Sequence, residues 1–270
     1  MKIVKYATKD RIIELVDNLK EASSAKAQDA SLELSNVRWV YPISLLPIVV
    51  YANRKKLAIT CSEKSGDVCG YLDSVCFPTG TTELRNVSKN YLPITQISCN
   101  DTNHLLSNYE ERILSKLDAQ SRQPFLTSLK YLTSELEANV REHSGVDNYW
   151  IFSQYWSKTK TCEIALCDIG IGYKASYEGT EYEVENHADA ILNAFGGKSS
   201  KSSDERGTGL PSIAKLFVEG YGGIMVVMSG NAVLHKYGNQ NDAYTFDGDW
   251  QGCFVGLRFP VKELNMYLYL

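Results

Sequence analysis

The chain has 270 residues, 44% hydrophobic and 22% charged, with a formal net charge of −4. That is room for one large domain or two ordinary ones, in the composition of a globular protein and not a disordered one. The slight acidic balance gives no global basis for nucleic-acid binding. The N-terminal residues Met1, Lys2, Ile3, Val4 and Lys5 do not read as a signal sequence. The longest apolar run, residues 41–52, carries two prolines and is too short to span a bilayer. Seven cysteines form no Cys-x-x-Cys pair and have no histidine at zinc-like spacing. An odd number in a chain of this size reads as free thiols in a reducing compartment, so a cytoplasmic protein is expected.

Residues 10–22 read as an amphipathic helix with Ile12, Ile13, Leu15, Val16 and Leu19 on its inner face. Residues 32–39 alternate as a half-buried strand does; Pro42 breaks the run, and residues 44–51 are apolar enough for a buried helix. Residues 57–61 and 68–72 read as further short strands, which makes the first third a small α/β unit. Between residues 77 and 106 the pattern weakens into turn and loop composition, and a boundary near residue 105 is the most economical cut.

The phrase spanning residues 34–46 resembles the core of a STAS-type domain, the fold of anti-sigma-factor antagonists. In that family a strand leads to an Asp-Ser-Ser-Gly-Leu turn whose serine is phosphorylated. Tyr41, Pro42, Ile43 and Ser44 stand here in place of Asp, Ser, Ser and Gly. The resemblance therefore implies an interaction module, residues 1–105, that has lost its phosphoacceptor; a generic α/β packing module is the alternative.

The second half, residues 106–270, opens on a helical pattern through Glu111, Ile113, Leu114 and Leu117. Pro124 interrupts it, and a second helix runs from about Phe125 to Gly145. Phe125, Leu129, Leu132, Leu136 and Val140 make one apolar stripe, and Glu135, Asn139 and His143 a polar stripe beside it. A carboxylate one turn before a carboxamide suits a site that holds a hydrated divalent metal and aims a water at a phosphate. Taken alone, Glu and Asn on a helix are most often solvated, and His143 reads first as a cap or core histidine.

Residues 149–155 and 162–168 alternate as an antiparallel pair of strands. The second ends in Asp168-Ile169-Gly170-Ile171-Gly172. A carboxylate there can accept from a purine exocyclic amine, which favours adenine, and the glycines let the backbone turn sharply beside a flat base. A long polar segment follows, read as a lid over about residues 179–206. Its tail carries Lys198, Ser199, Lys201, Arg206, Gly207, Thr208, Gly209 and Leu210, small and cationic enough to wrap a polyphosphate. Residues 210–220 read as a helix with Pro211 in its first turn, which turns backbone N–H groups toward an anion. The segment matches neither the P-loop nor the dinucleotide fingerprint. Residues 223–229, 232–237 and 252–259 are three more strand-like runs.

Glu-x-x-x-Asn on a helix, then Asp-x-Gly-x-Gly, then Gly-x-Gly opening a helix resembles the GHKL ATPase superfamily over roughly residues 105–262. Glu135, Asn139, His143 and Gly145 are most similar to the motif of anti-sigma-factor serine kinases. The resemblance implies an α+β protein whose C-terminal α/β sandwich has a mixed, largely antiparallel sheet with helices on one face. It implies ATP and Mg²⁺ as cofactors, with Asn139 helping to hold Mg²⁺ and Glu135 polarising the attacking water or hydroxyl. Asp168 would read adenine, flanked by Gly170 and Gly172. His143, Lys198, Ser199, Arg206, Gly207, Thr208, Gly209 and Leu210 would complete the nucleotide site, with Arg206 favoured as a phosphate contact. Two departures stand out: Gly252-Cys253 replaces the family's Gly-Thr, and no dimerisation helix with a phosphoacceptor histidine lies upstream. The implied activity is ATP hydrolysis or transfer of the γ-phosphate to a partner's serine or threonine in a regulatory system. The alternatives are a non-catalytic ATP-gated interaction module and a structural protein with a degenerate site. A protein partner or substrate is expected, a homodimer is an option, and neither nucleic acid nor membrane is.

Overall fold

Pro42 ends the strand-like run by opening the helix itself, two residues before the one read at residues 44–51. The missing N–H of proline costs nothing at the first helical position, and α1 runs over Pro42–Lys55 to a left-handed Lys56 (φ 54°). This helix links β1 (Ser31–Glu33) to β2 (Ala58–Thr60), a short parallel pair. Helix α2 (Gly66–Ser74) follows, and then β3 (Tyr91–Ser98). The second half runs α3 (Ala119–Asn139), β4 (Asn148–Trp156), β5 (Thr161–Cys167), α4 (Gly172–Ser176), α5 (His187–Phe195), α6 (Gly209–Ala214), β6 (Ile224–Tyr237) and β7 (Gln240–Pro260). This computed structural model describes residues 31–33, 40–56, 58–60, 66–83, 90–100, 107, 110–111, 114–115, 117, 119–199 and 209–270. The helix read at residues 10–22, the STAS-like residues 34–39, most of the helix read at 105–117, and Lys201, Arg206, Gly207 and Thr208 lie outside the described residues.

The protein is α+β, built on a five-stranded sheet ordered β3-β4-β5-β7-β6 with every neighbouring pair antiparallel. Period-two alternation sends Tyr149, Ile151, Ile164, Leu166, Val255 and Leu257 to one face. There they meet the apolar stripe of α3 (Phe125, Leu129, Leu132, Leu136) together with Ile191 of α5 and Ile213 of α6. Phe152, Ala165, Cys167, Val226, Met228 and Phe254 point to the other face, where Ile43, Leu46, Val49 and Val50 of α1 cover them. The helices of the C-terminal half thus share one face, and the N-terminal helix α1 closes the other.

One carboxylate lies inside that second interface. Glu163 of β5 is fully buried, and its Oε1 accepts the Ile43 N–H at 2.9 Å in the first turn of α1. The positive end of the helix and an otherwise orphaned donor compensate the buried charge. Tyr41, which precedes the helix, packs its ring on Trp156 at 5.6 Å. Ser44, at the STAS-like turn, is buried, and its hydroxyl donates to the Tyr41 carbonyl.

Several elements differ from the sequence reading. Residues 68–72 belong to α2 and not to a strand: Leu72 and Val75 are buried three residues apart, and a short apolar run fits either period. The loop read across residues 77–106 contains β3. Pro93 interrupts its ladder with β4 between Leu92 and Thr95, as an edge strand tolerates. The outer side of β3 is itself paired: Ile94 N–H donates to Val75 O, Thr81 N–H to Ile94 O and Gln96 N–H to Thr81 O. A boundary at residue 105 therefore falls inside one sheet, with β3 before it and β4 after it. The last three strand-like runs are two long strands joined at Gly238-Asn239, with an irregularity around Gly230. About a third of the expected lid is a built helix, α5, capped by Asn186 accepting from Asp189 N–H at 2.8 Å and anchored by buried Ala190 and Ile191. Cys69 is disulfide-bonded, so the thiols are not all free as expected; Cys99, Cys167 and Cys253 are. Among the described residues no helix is long and apolar enough to cross a membrane.

Candidate functional site

Helix α3 changes pitch within its polar stripe, between Asn139 and His143. After Asn139 it continues as a π-turn, Val140–Ser144, and stops at left-handed Gly145 (φ 72°). Such turns are rare and frequently sit at functional sites. Glu135, Asn139 and His143 are half-buried along it, whereas Glu142 is exposed. Ser144 fastens the helix end to the next loop: its hydroxyl donates to Val140 O, and its carbonyl accepts the Ile171 N–H at 2.9 Å. Gly170 packs so tightly on Ser144 that any Cβ there would collide with the Ser144 carbonyl.

Asp168 follows β5, with its backbone N–H still paired to Cys253 O at 2.9 Å. Its Oδ1 accepts from Gly170 N–H at 2.8 Å and from Cys253 N–H at 3.3 Å. Burial pushes the Asp168 carboxyl up to about 6 from an ordinary 3.8, and the two backbone hydrogen bonds pull the other way. A desolvated carboxylate held by one oxygen, in a cleft, has the features of a recognition group.

The cleft has a volume of about 800 Å³, its open mouth included. Asn139, His143, Asp168, Gly172, Lys198, Ser199, Gly209 and Leu210 all line it. Residues separated by up to 71 positions (139 to 210) thus share one wall. Among the described residues, two that were expected in the site do not line it. Gly170 is spent on the Ser144 contact, and Glu135 stands behind Gly209, where an added Cβ would lie 2.8 Å from Glu135 Oε2 and 3.5 Å from Asn139 Oδ1. Lys198 sits at the rim with its side chain turned outward: Nζ donates to Asn193 Oδ1 at 2.7 Å and lies 5.4 Å from the Tyr182 ring centre. Its carbonyl accepts the Tyr177 hydroxyl at 2.8 Å.

No family model matches the chain, and no curated protein matches it in sequence. The chemistry of the cleft therefore rests on its own side chains.

Residues not read as site residues in the sequence supply much of the wall: Leu136 and Val140 from α3 and its π-turn, Leu166 and Val255 from the sheet, and Tyr173 and Tyr177 beyond the Asp168 loop. The first four were visible as core positions, and nothing local marked them as facing a cavity. These apolar and aromatic side chains share the cleft with the Asp168 carboxylate. Among the described residues no group of three or more His, Cys, Asp or Glu is arranged to hold a metal ion. A magnesium ion needs no such cage: one or two protein oxygens, water and phosphate oxygens complete its shell. Asn139, at the cleft wall, fits that role as a neutral oxygen donor.

Proposed function

We propose that the chain binds Mg-ATP in this cleft in the manner of the GHKL superfamily, and either hydrolyses ATP or passes its γ-phosphate to a partner's serine or threonine. The observation that carries the reading is that Asp168, buried at the floor, opens onto the same cavity as Asn139 and Gly209. The Asp168 carboxylate accepts the adenine amine, and Tyr173, Val140 and Leu166 flank the ring. The phosphates then extend toward Asn139 and Gly209, which brings their end near Glu135. A magnesium ion held through Asn139 would neutralise phosphate charge. Glu135 takes the proton of the attacking water or hydroxyl as the new P–O bond forms and the bond to ADP breaks. The partner protein supplies the acceptor in the transfer case.

A second reading, an ATP-gated interaction module without turnover, is favoured by one observation: Glu135 lies behind Gly209 and not on the cleft wall. A thermal-shift series with ATP, ADP and GTP, with and without Mg²⁺, tests binding, and phosphate release tests turnover. Stabilisation by ATP with Mg²⁺ and little by GTP is the expected result. No shift with any nucleotide would sink both readings.

A further inference from the structure

Ser229 sits at the irregularity in β6 and is buried. A hydroxyl there is costly unless both its donor and its acceptor capacity are used, since burying it unpaired forfeits its hydration. Both are used. Ser229 Oγ accepts the Tyr173 N–H at 3.1 Å and donates to the Gly252 carbonyl at 3.0 Å. Tyr173 lies just beyond the glycine loop that follows Asp168, and Gly252 directly precedes Cys253, whose N–H bonds the Asp168 carboxylate. Gly172 closes the same contact, because a Cβ there would lie 2.7 Å from Ser229 Oγ. One hydroxyl from β6 therefore ties together the two segments that flank Asp168. For packing alone, an alanine in this strand would serve as well.

Resting on the purine reading of Asp168, we infer that Ser229 is a positioning residue for base recognition: its hydroxyl clamps the Tyr173 loop to Gly252 and so fixes where the Asp168 carboxylate meets an adenine amine. Ser229 does not line the cleft and acts through Tyr173 and Gly252. The clamp also keeps water out of the floor, in keeping with the upward shift that burial imposes on Asp168.

Adenosine, which carries no phosphate, isolates this contact. Ser229→Ala is expected to weaken adenosine binding by about tenfold, the loss of one well-placed hydrogen-bonding arrangement, and to narrow the preference over guanosine. In the same variant without ligand, the Tyr173 amide should exchange faster, and the Asp168 carboxyl, followed by carbon NMR and assigned through Asp168→Asn, should titrate at lower pH. A merely structural serine would lower the melting temperature and leave selectivity and titration in place. Ser229→Cys, of similar shape with a weak donor, carries the same expectations should the alanine variant not fold. Adenosine affinity and Asp168 titration both unchanged in a folded variant would overturn the role of Ser229 and leave the purine site standing. Wild-type protein that binds no adenosine would overturn the purine reading and this inference with it.

Discussion

Gly252 presses against the backbone of Asp168: its φ is +90°, and a side chain at this position would run into the Asp168 carbonyl. Both the left-handed backbone and the missing Cβ are needed where β7 passes the floor of the cleft. Gly252→Ala is therefore expected to cost about 1–3 kcal/mol from strain, and more from the collision. Chemical denaturation should show the loss of stability, and calorimetry a loss of ATP affinity beyond it. Unchanged stability would mean that β7 shifts freely away from Asp168.

Asp168 links binding to pH. Its folded pKa of about 6 exceeds the ordinary 3.8, so the folded protein holds this proton more tightly than the unfolded chain. The associated stabilisation is complete below about pH 4 and is lost as pH rises through 6. Keeping the carboxylate ionised at neutral pH then costs up to about 3 kcal/mol. Asp168→Asn should accordingly raise the stability of the ligand-free protein at pH 8, with an advantage that fades toward pH 4, while weakening ATP binding about tenfold or more. Urea melts of both proteins at pH 4.5, 6 and 8, beside calorimetry, test the pair of effects. Weaker stability at pH 8 would contradict the burial argument.

Glu135→Ala should retain ATP binding and lose about a hundredfold to ten-thousandfold in phosphate release, the usual contribution of a general base. Asn139→Ala should lose the Mg²⁺-dependent part of the affinity. Should Glu135 serve only to pack against Gly209, its removal lowers the melting temperature and leaves turnover within a few-fold. A wild type that never turns over, alone or with its partner, favours the gated module.

Hydrogen exchange should divide the segment once read as a single lid. Ala190 and Ile191 anchor α5 in the core, so its amides are expected to be protected with or without a non-hydrolysable ATP analogue. Gly196 to Ser199 should gain protection on binding, as Lys198 leaves Asn193 and Tyr182 for the phosphates. Equal exchange at Lys198 and Ser199 in both states would place the phosphates elsewhere.

What could be read in advance divides by range along the chain. The stripe from Phe125 to Val140 and the alternating pair around Ile151 and Ile164 are local periodicities, and both are built as read. Strand β3 is hidden in the sequence by the turn compositions on either side of it, at residues 78–82, 86–90 and 100–103, while its order comes from β4 and the Val75–Thr81 segment. The run at residues 68–72 was too short to choose its own period. In the cleft, residue types marked Asn139 and Asp168, but Ser229 reaches Tyr173 across 56 residues and Tyr177 reaches Lys198 across 21. Contacts at that range leave no trace in spacing.

The second face of the sheet has a practical consequence. A fragment starting at residue 106 would remove β3, α1 and α2 together. Phe152, Val226, Met228 and Phe254 would then face water, and the Glu163 carboxylate would lose the Ile43 N–H. Glu163 lies five residues before Asp168 on the same stretch of chain, roughly 17 Å away in an extended strand. Preparations of the cleft without its N-terminal third are thus expected to be sticky, aggregation-prone material, and weak nucleotide binding by them would report a damaged floor instead of the native affinity.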